Sequence, residues 1–438
     1  MIFTRFNYRY TYKVLQATID FEPTLTIKQP LKTSIKMHTF SNSVKNLRSS
    51  EIRDLMSLAN KPNMILFSGG MPDNDLFPLD EIDAIFQNLS PQEKKIAMQY
   101  GPTNGLPQLI ESLTLFLENK GLPVSENKIL ITTGSLQAIN ILAKAFINPG
   151  DTLIVENPCF IGAISAFNSY EANIVSVPLT ENGIAVDQLE SLLKELKQKP
   201  KFIYLTPNFH NPAGTLYTTE TKQKLIDLFD GAGIPIIEDD VYSDLYFNEE
   251  DRDDLKTFKE INPKGIDVCY TGSFSKIIGP GLRLGWMLVP DAIYEKCELI
   301  KQTMDACSPS FTQVIADKFL QSGIADNYIE KVRVEYKKRA EAMIDALNKH
   351  LPDEVTFTAP RGGFYIWLQL PEGIDSTDIL KKAIDKGVVF VSGKTFDPHG
   401  IKNNNMRLSY CNTSIEKINK GIPLIASAIK EVLEDCKS

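Results

Sequence analysis

An α/β fold is predicted for this chain. It consists of a large domain on a mostly parallel sheet of seven strands covered by helices, followed by a smaller α+β domain. Two observations point to it. From about residue 129, short runs rich in β-branched residues alternate with stretches of helical period, the pattern of strands joined through helices. The polar residues capable of chemistry also fall, one after another, just past the ends of those runs, where open parallel sheets bind ligands.

In chain order, 128–132 is the first strand, and 135–147 is a helix stopped by Asn148-Pro149-Gly150. Strands follow at 151–155, 173–177, 202–205, 234–237, 268–271 and 284–289. The amphipathic stretch 219–230 is a helix between two of them. Residues 328–351 carry Glu, Lys and Arg with apolar positions at helical spacing; they read as a long helix into the small domain, where 363–370 is a strand. The expected boundaries are an N-terminal arm over 37–75, the large domain over 76–325 and the small one over 326–438. Residues 1–36 are rich in Tyr, Phe, Thr and Lys, poor in acids and without a period, and lack the apolar centre of a secretory signal. Met37 is expected to be the functional start, with 1–36 a disordered or non-native extension.

The composition, 43% hydrophobic and 23% charged, is ordinary for a globular protein, and a net charge of −8 argues against nucleic acid or an anionic membrane as the main partner. No apolar run is long enough to span a bilayer. The six cysteines (Cys159, Cys269, Cys297, Cys307, Cys411, Cys436) are scattered and the four histidines do not cluster. That points to a reducing compartment, the cytoplasm, and away from zinc.

The densest chemistry is at Ser273-Phe274-Ser275-Lys276, with Arg283 seven positions after the lysine. A lysine at a strand end forms an imine with an aldehyde if its amine is partly neutral, while hydroxyls and a guanidinium beside it suit a phosphate dianion. An aldehyde and a phosphate on one small molecule mean pyridoxal 5′-phosphate (PLP). Thr133-Gly134-Ser135-Leu136 opens a helix whose first N–H groups, with Ser135 as N-cap, make a phosphate cradle. By itself Ser135 would be only a cap. Glu238-Asp239-Asp240-Val241-Tyr242 sets adjacent carboxylates after a buried strand. One is expected against the cofactor's pyridine nitrogen, keeping it protonated, and another as a helix cap. Asp239 is the choice for the first task, because Tyr242 can then turn its hydroxyl to the cofactor's phenolate oxygen. Asn211, in the turn Asn211-Pro212-Ala213-Gly214, adds an amide donor to that oxygen. Phe160 is the candidate cover for the cofactor ring, with plain core packing equally open. Arg407 lies in the apolar run Met406-Arg407-Leu408-Ser409. If buried it needs a carboxylate, either a substrate's or an internal one.

Together these residues resemble the fold-type I, class I/II PLP-dependent aminotransferases, from about residue 43 to the C-terminus. The likeness is strongest to the kynurenine/2-aminoadipate branch and to the aminotransferase-like domain of MocR regulators. It is carried by Phe67-Ser68-Gly69-Gly70-Met71-Pro72, Gln99-Tyr100-Gly101-Pro102, Glu238-Asp239-Asp240 and Ser273-Phe274-Ser275-Lys276-Ile277. The resemblance implies Lys276 as Schiff-base lysine and proton carrier, Asp239 at the pyridinium, and Asn211 and Tyr242 at the phenolate oxygen. It implies Ser135, the backbone of Leu136, Ser273, Ser275 and Arg283 around phosphate, and Phe160 on the ring. Arg407, Gly70 (through its backbone), Asn211 and Tyr100 are the implied substrate contacts. Tyr100 also touches the cofactor from the neighbouring subunit, so a homodimer is implied. Leu136, Phe160 and Val241 depart from the frequent Gln, Tyr and Pro of such proteins.

The activity implied is transfer of the amino group of an L-amino acid (2-aminoadipate, aromatic, branched or other long-chain) to a 2-oxo acid such as 2-oxoglutarate. The alternatives on this scaffold are a regulator's effector domain or a PLP lyase. A regulator needs a winged-helix domain of some tens of residues, where fewer than 45 residues without a helix-turn-helix pattern precede this region. Arg407 favours transamination over decarboxylation. Residues 43–71 and the stretch 307–310 are expected to wall the side-chain pocket.

Overall fold

Short runs of Ile, Val, Leu and Tyr with no polar face bury both sides of a sheet, and helices from the intervening stretches cover them. The computed structural model describes residues 39–45, 55, 63–262, 265 and 267–437. The expected extension over 1–36 lies outside the described residues, as does much of the arm. Ser41–Ser438 forms one unit, to which everything below refers.

The large sheet comprises β2 (Lys128–Thr132), β3 (Thr152–Asn157), β4 (Asn173–Thr180), β5 (Gly183–Ile184), β6 (Ile203–Leu205), β7 (Ile236–Asp239), β8 (Val268–Ser273) and β9 (Gly285–Val289). Their order is β2-β9-β8-β7-β6-β3-β4-β5. β5 is a two-residue antiparallel return at the edge, which leaves seven strands of the expected kind; among those only β9 opposes its neighbours. Alternation along each strand divides the core. Leu153, Val155, Tyr204 and Ile237 pack in one cluster, and Ile154, Ile203, Leu205 and Ile236 in another.

β7 begins two residues later than the sequence pattern suggests. Gly233 turns left-handed (φ 58°) to end the helix Thr219–Ala232, and Pro235 has no N–H for the ladder, so pairing starts at Ile236. At its other end β7 runs two residues further than expected, through the pairing of Asp239 with Thr271, so Asp239 is the last residue of the strand rather than two beyond it; β8 likewise extends to Ser273. The long helix also starts earlier than expected, at Ile324, and runs to His350.

A second, antiparallel sheet orders β10 (Thr356–Phe357), β11 (Tyr365–Gln369), β14 (Asn405–Ser409) and β13 (Val391–Ser392) as β10-β11-β14-β13. Trp367 pairs with Arg407, so Tyr365, two residues before Trp367, shares a face with that arginine. β1 (Ile65–Leu66) pairs in parallel with β12 (Val388–Val389), and the chain beyond it carries Ser68–Met71 to the edge of the large sheet's carboxyl end.

Candidate active site

A cavity of about 330 Å³ opens where the carboxyl ends of the large sheet meet β11 and β14. Among its walls are Gly70, Ser135, Leu136, Phe160, Asn211, Asp239, Tyr242, Ser273, Ser275, Lys276, Arg283 and Arg407. One space thus collects every expected site residue except Tyr100. Tyr100 stands 86% exposed and outside this lining.

Lys276 follows β8, and its Nζ donates to the Gly70 carbonyl at 2.7 Å, between the rings of Phe364 (5.0 Å) and Tyr242 (5.6 Å). Burial, reinforced by the nearby charges of Arg407 and Arg283, lowers its pKa from 10.5 to about 8. A useful fraction of the amine is then neutral near physiological pH. Gly70, expected to approach a substrate carboxylate through its backbone, gives its carbonyl to the lysine. Its hydrogen side chain is required, because a Cβ would strike the Tyr365 hydroxyl.

The three adjacent acids separate by strand parity. Asp239 faces the cavity, where Tyr204 donates to Oδ2 at 2.5 Å and Thr271 to Oδ1 at 3.0 Å. Burial raises its pKa from 3.8 to about 6, and the two hydroxyls oppose that rise. Asp240 accepts from the Ser243 N–H at 3.3 Å and from the Tyr270 hydroxyl at 3.1 Å; the short helix Ser243–Leu245 that follows has Tyr242 at its N-cap, so the cap expected of one acid is not formed there. Glu238 takes the Phe258 N–H at 3.0 Å.

Arg407 is buried with no carboxylate partner among the described residues. Nη1 donates to Asn211 Oδ1 at 2.9 Å and Nη2 to the Ser68 carbonyl at 2.7 Å, while Nε has no partner. Its guanidinium lies between the rings of Tyr365 (4.4 Å) and Phe396 (4.8 Å). Among the described residues the internal ion pair is absent. A buried, uncompensated cation on a cavity wall is a site for an anion. With its oxygen engaged by Arg407, Asn211 has its amide N–H₂ left to donate.

At the other end, Gly134 rather than Ser135 occupies the N-cap of the helix Ser135–Phe146. The strand-to-helix turn needs φ 86°, which glycine alone adopts easily, so Ser135 moves into the first helical turn. The cradle keeps its unpaired N–H groups and gains the Ser135 hydroxyl. Arg283 is held over it by the carbonyls of Pro280 (3.1 Å) and Thr133 (3.4 Å). Ser273 accepts from the Ser275 N–H at 3.1 Å. Phe160 lines the cavity and also packs against the core. Of the expected pocket wall, Gly70 and Met71 line the cavity and 307–310 does not; 46–54 and 56–62 lie outside the described residues.

Sequence reasoning missed Tyr204, Thr271 and Tyr365. Tyr204 and Thr271 sit inside apolar strands and read as core. The only hint at Tyr365 is the Gly362-Gly363 pair before it, which lets the backbone pass close to Phe209.

Residues 47–425 match the protein family described as aminotransferase class I and II. The chain is 38% identical, over 90% of its length and 95% of the relative's, to aromatic-amino-acid aminotransferase 1 of Thermococcus litoralis. It is 33% identical to the 2-aminoadipate transaminase of Thermus thermophilus, over 90% of this chain and 97% of that one. Among solved structures, the kynurenine aminotransferase of Pyrococcus horikoshii superimposes with a TM-score of 0.86 at 38% identity, covering 90% of this chain and 97% of that one.

Proposed function

We propose that this chain, which belongs to the class I and II aminotransferase family, moves the amino group of a long-chain or aromatic L-amino acid to 2-oxoglutarate. It is a PLP-dependent aminotransferase. The donors around the cavity suit the cofactor's groups: Lys276 for the aldehyde, Asp239 for the ring nitrogen, and Tyr242 and Asn211 for the phenolate oxygen. Ser135, the Leu136 N–H, Ser273, Ser275 and Arg283 suit the phosphate, and Phe160 the ring face. When bound, PLP supplies a protonated ring able to take up the electron pair of a breaking Cα–H bond.

The protein's own residues do the rest. Arg407 and the Asn211 amide hold the amino acid's carboxylate and so fix the direction of its Cα–H bond. Lys276, brought to a pKa of about 8, takes the Cα proton on Nζ and later returns it. Asp239, ionised above about pH 6, keeps the ring nitrogen protonated. The aromatic walls exclude water. The products are a 2-oxo acid and, after the second half-reaction, glutamate. The observation that carries this reading is the buried Arg407 guanidinium without a counter-charge, in the same cavity as a lysine of lowered pKa. A panel of amino acids with 2-oxoglutarate, followed by glutamate formation, tests it; no glutamate from any donor would overturn it.

The same reading includes a homodimer in which Tyr100 serves the neighbouring site, consistent with its exposure. Mixing Lys276→Ala chains with Tyr100→Ala chains should restore activity, because one site of the mixed dimer is then intact. No restoration would place Tyr100 elsewhere. Residues 76–325 are read as the PLP-binding domain, 326–438 as the smaller one, and the setting as cytoplasmic amino-acid biosynthesis, which fits six thiols without disulfides. Fractionation of the source cells checks the location.

A further inference from the structure

The geometry points to the Tyr365 hydroxyl as a further positioning group, one that sets the proton affinity of the lysine–cofactor Schiff base by acting through Tyr242. The inference rests on the reading of Tyr242 as donor to the cofactor's phenolate oxygen.

Tyr365 Oη lies 3.1 Å from Tyr242 Oη, and the two rings meet edge to face at 5.9 Å. The Tyr365 ring is fixed by the Arg407 guanidinium at 4.4 Å, and its hydroxyl is wedged against the Cα of Gly70, where no side chain fits. The hydroxyl is therefore aimed at Tyr242 by packing on both sides. Two hydroxyls in contact share one hydrogen, and the acceptors around them decide its direction. A phenolate anion accepts more strongly than a neutral hydroxyl, so Tyr242 gives its proton to the cofactor. Tyr365 must then donate to Tyr242.

Donation into the Tyr242 oxygen polarises its O–H and strengthens the next bond in the chain. That bond matters most when the Schiff base is unprotonated, because the phenolate charge is then not shared with an imine N–H. Strengthening it stabilises the unprotonated form and lowers the proton affinity. The other titratable or charged groups facing the tyrosine pair are Arg407 and Cys411, with Lys276 and Arg283 across the cavity. Of these, Arg407 also interacts directly with the Tyr365 oxygen, and the Tyr242→Phe background separates that contribution from the one carried through Tyr242.

The test is the pH midpoint of the visible absorption band of the PLP-loaded protein, measured for the parent, Tyr365→Phe, Tyr242→Phe and the double variant. Tyr365→Phe keeps the ring on Arg407 and should raise the midpoint by about half a unit, roughly a threefold gain in proton affinity. In the Tyr242→Phe background it should add nothing. If Tyr242→Phe raises the midpoint but Tyr365→Phe moves it by less than about 0.2 unit, or lowers it, the role of Tyr365 is overturned and that of Tyr242 stands. A rise that persists without the Tyr242 hydroxyl also overturns it. A midpoint indifferent to Tyr242→Phe, or a parent without a visible band, overturns the reading beneath it.

Discussion

Replacing Asp239 by asparagine should stabilise the cofactor-free protein at neutral pH while nearly abolishing its activity. The carboxyl is buried, and its pKa in the fold is about 6 against 3.8 when exposed. That gap of about 2.2 units corresponds to roughly 3 kcal/mol. The folded pKa is the higher one, so between the two values the folded state binds more protons than the unfolded chain, and stability falls as pH rises. The penalty is small near pH 4 and complete by about pH 7. Asparagine removes it, but offers one carbonyl oxygen where the carboxylate offered two to Tyr204 and Thr271, which costs about 1 kcal/mol. The net expectation is a variant more stable by about 2 kcal/mol at pH 8, with an advantage that grows by about 2.5 kcal/mol between pH 4 and pH 8. Urea denaturation of PLP-stripped protein at both pH values measures it. In the loaded enzyme kcat/KM should fall by roughly 10²–10⁴, because an amide cannot keep the ring nitrogen protonated. An advantage that did not grow with pH, or a variant less stable at pH 8, would refute the account of Asp239 as a charge buried for function at the expense of stability.

Lys276→Ala should show neither visible absorbance nor turnover, and a yellow, active variant would sink its assignment. In the native chain, capture of added PLP by the cofactor-free protein should accelerate as pH rises through about 8 and level off above, as the amine loses its proton. Arg407→Met should lower kcat/KM by about 10²–10⁴, the worth of two charge-assisted hydrogen bonds to a carboxylate. Its denaturation midpoint should fall little, since a buried cation without a counter-charge is removed; an unchanged KM for the amino acid would place the carboxylate elsewhere. Gly134→Ala combines a backbone at φ 86° with a Cβ only 2.9 Å from Arg283 Nη2. Pushing Arg283 off the phosphate cradle at a cost of roughly 1–3 kcal/mol should raise the Kd for PLP, read by equilibrium titration, about five- to 150-fold.

Much of the fold was legible because its signals are local. The alternation of β-branched runs and helical stretches reports which faces are buried, and a parallel sheet follows from helices between strands. The strand ends then locate the site, since the carboxyl edge is where such sheets leave room for a ligand. The errors were local too. Glycine's hold on positive φ moved the helix cap from Ser135 to Gly134, Pro235 delayed the start of β7 to Ile236, and pairing with Thr271 carried its end to Asp239.

From the sequence alone came the kind of chemistry: a lysine, an acid, an amide, a phenol and an arginine at strand ends, which together mean PLP and an amino acid. Tertiary structure alone decided what each group does with its neighbours. Arg407 and Asn211, 196 positions apart, meet through a hydrogen bond, and among the described residues no carboxylate pairs with the arginine. Tyr204 and Tyr365 lie in apolar strand runs, and only the fold sets their hydroxyls on Asp239 and Tyr242. Secondary structure follows from residues a few positions apart. The proton affinities that make Lys276 and Asp239 useful follow from desolvation and from partners distant along the chain, which only the packed fold supplies.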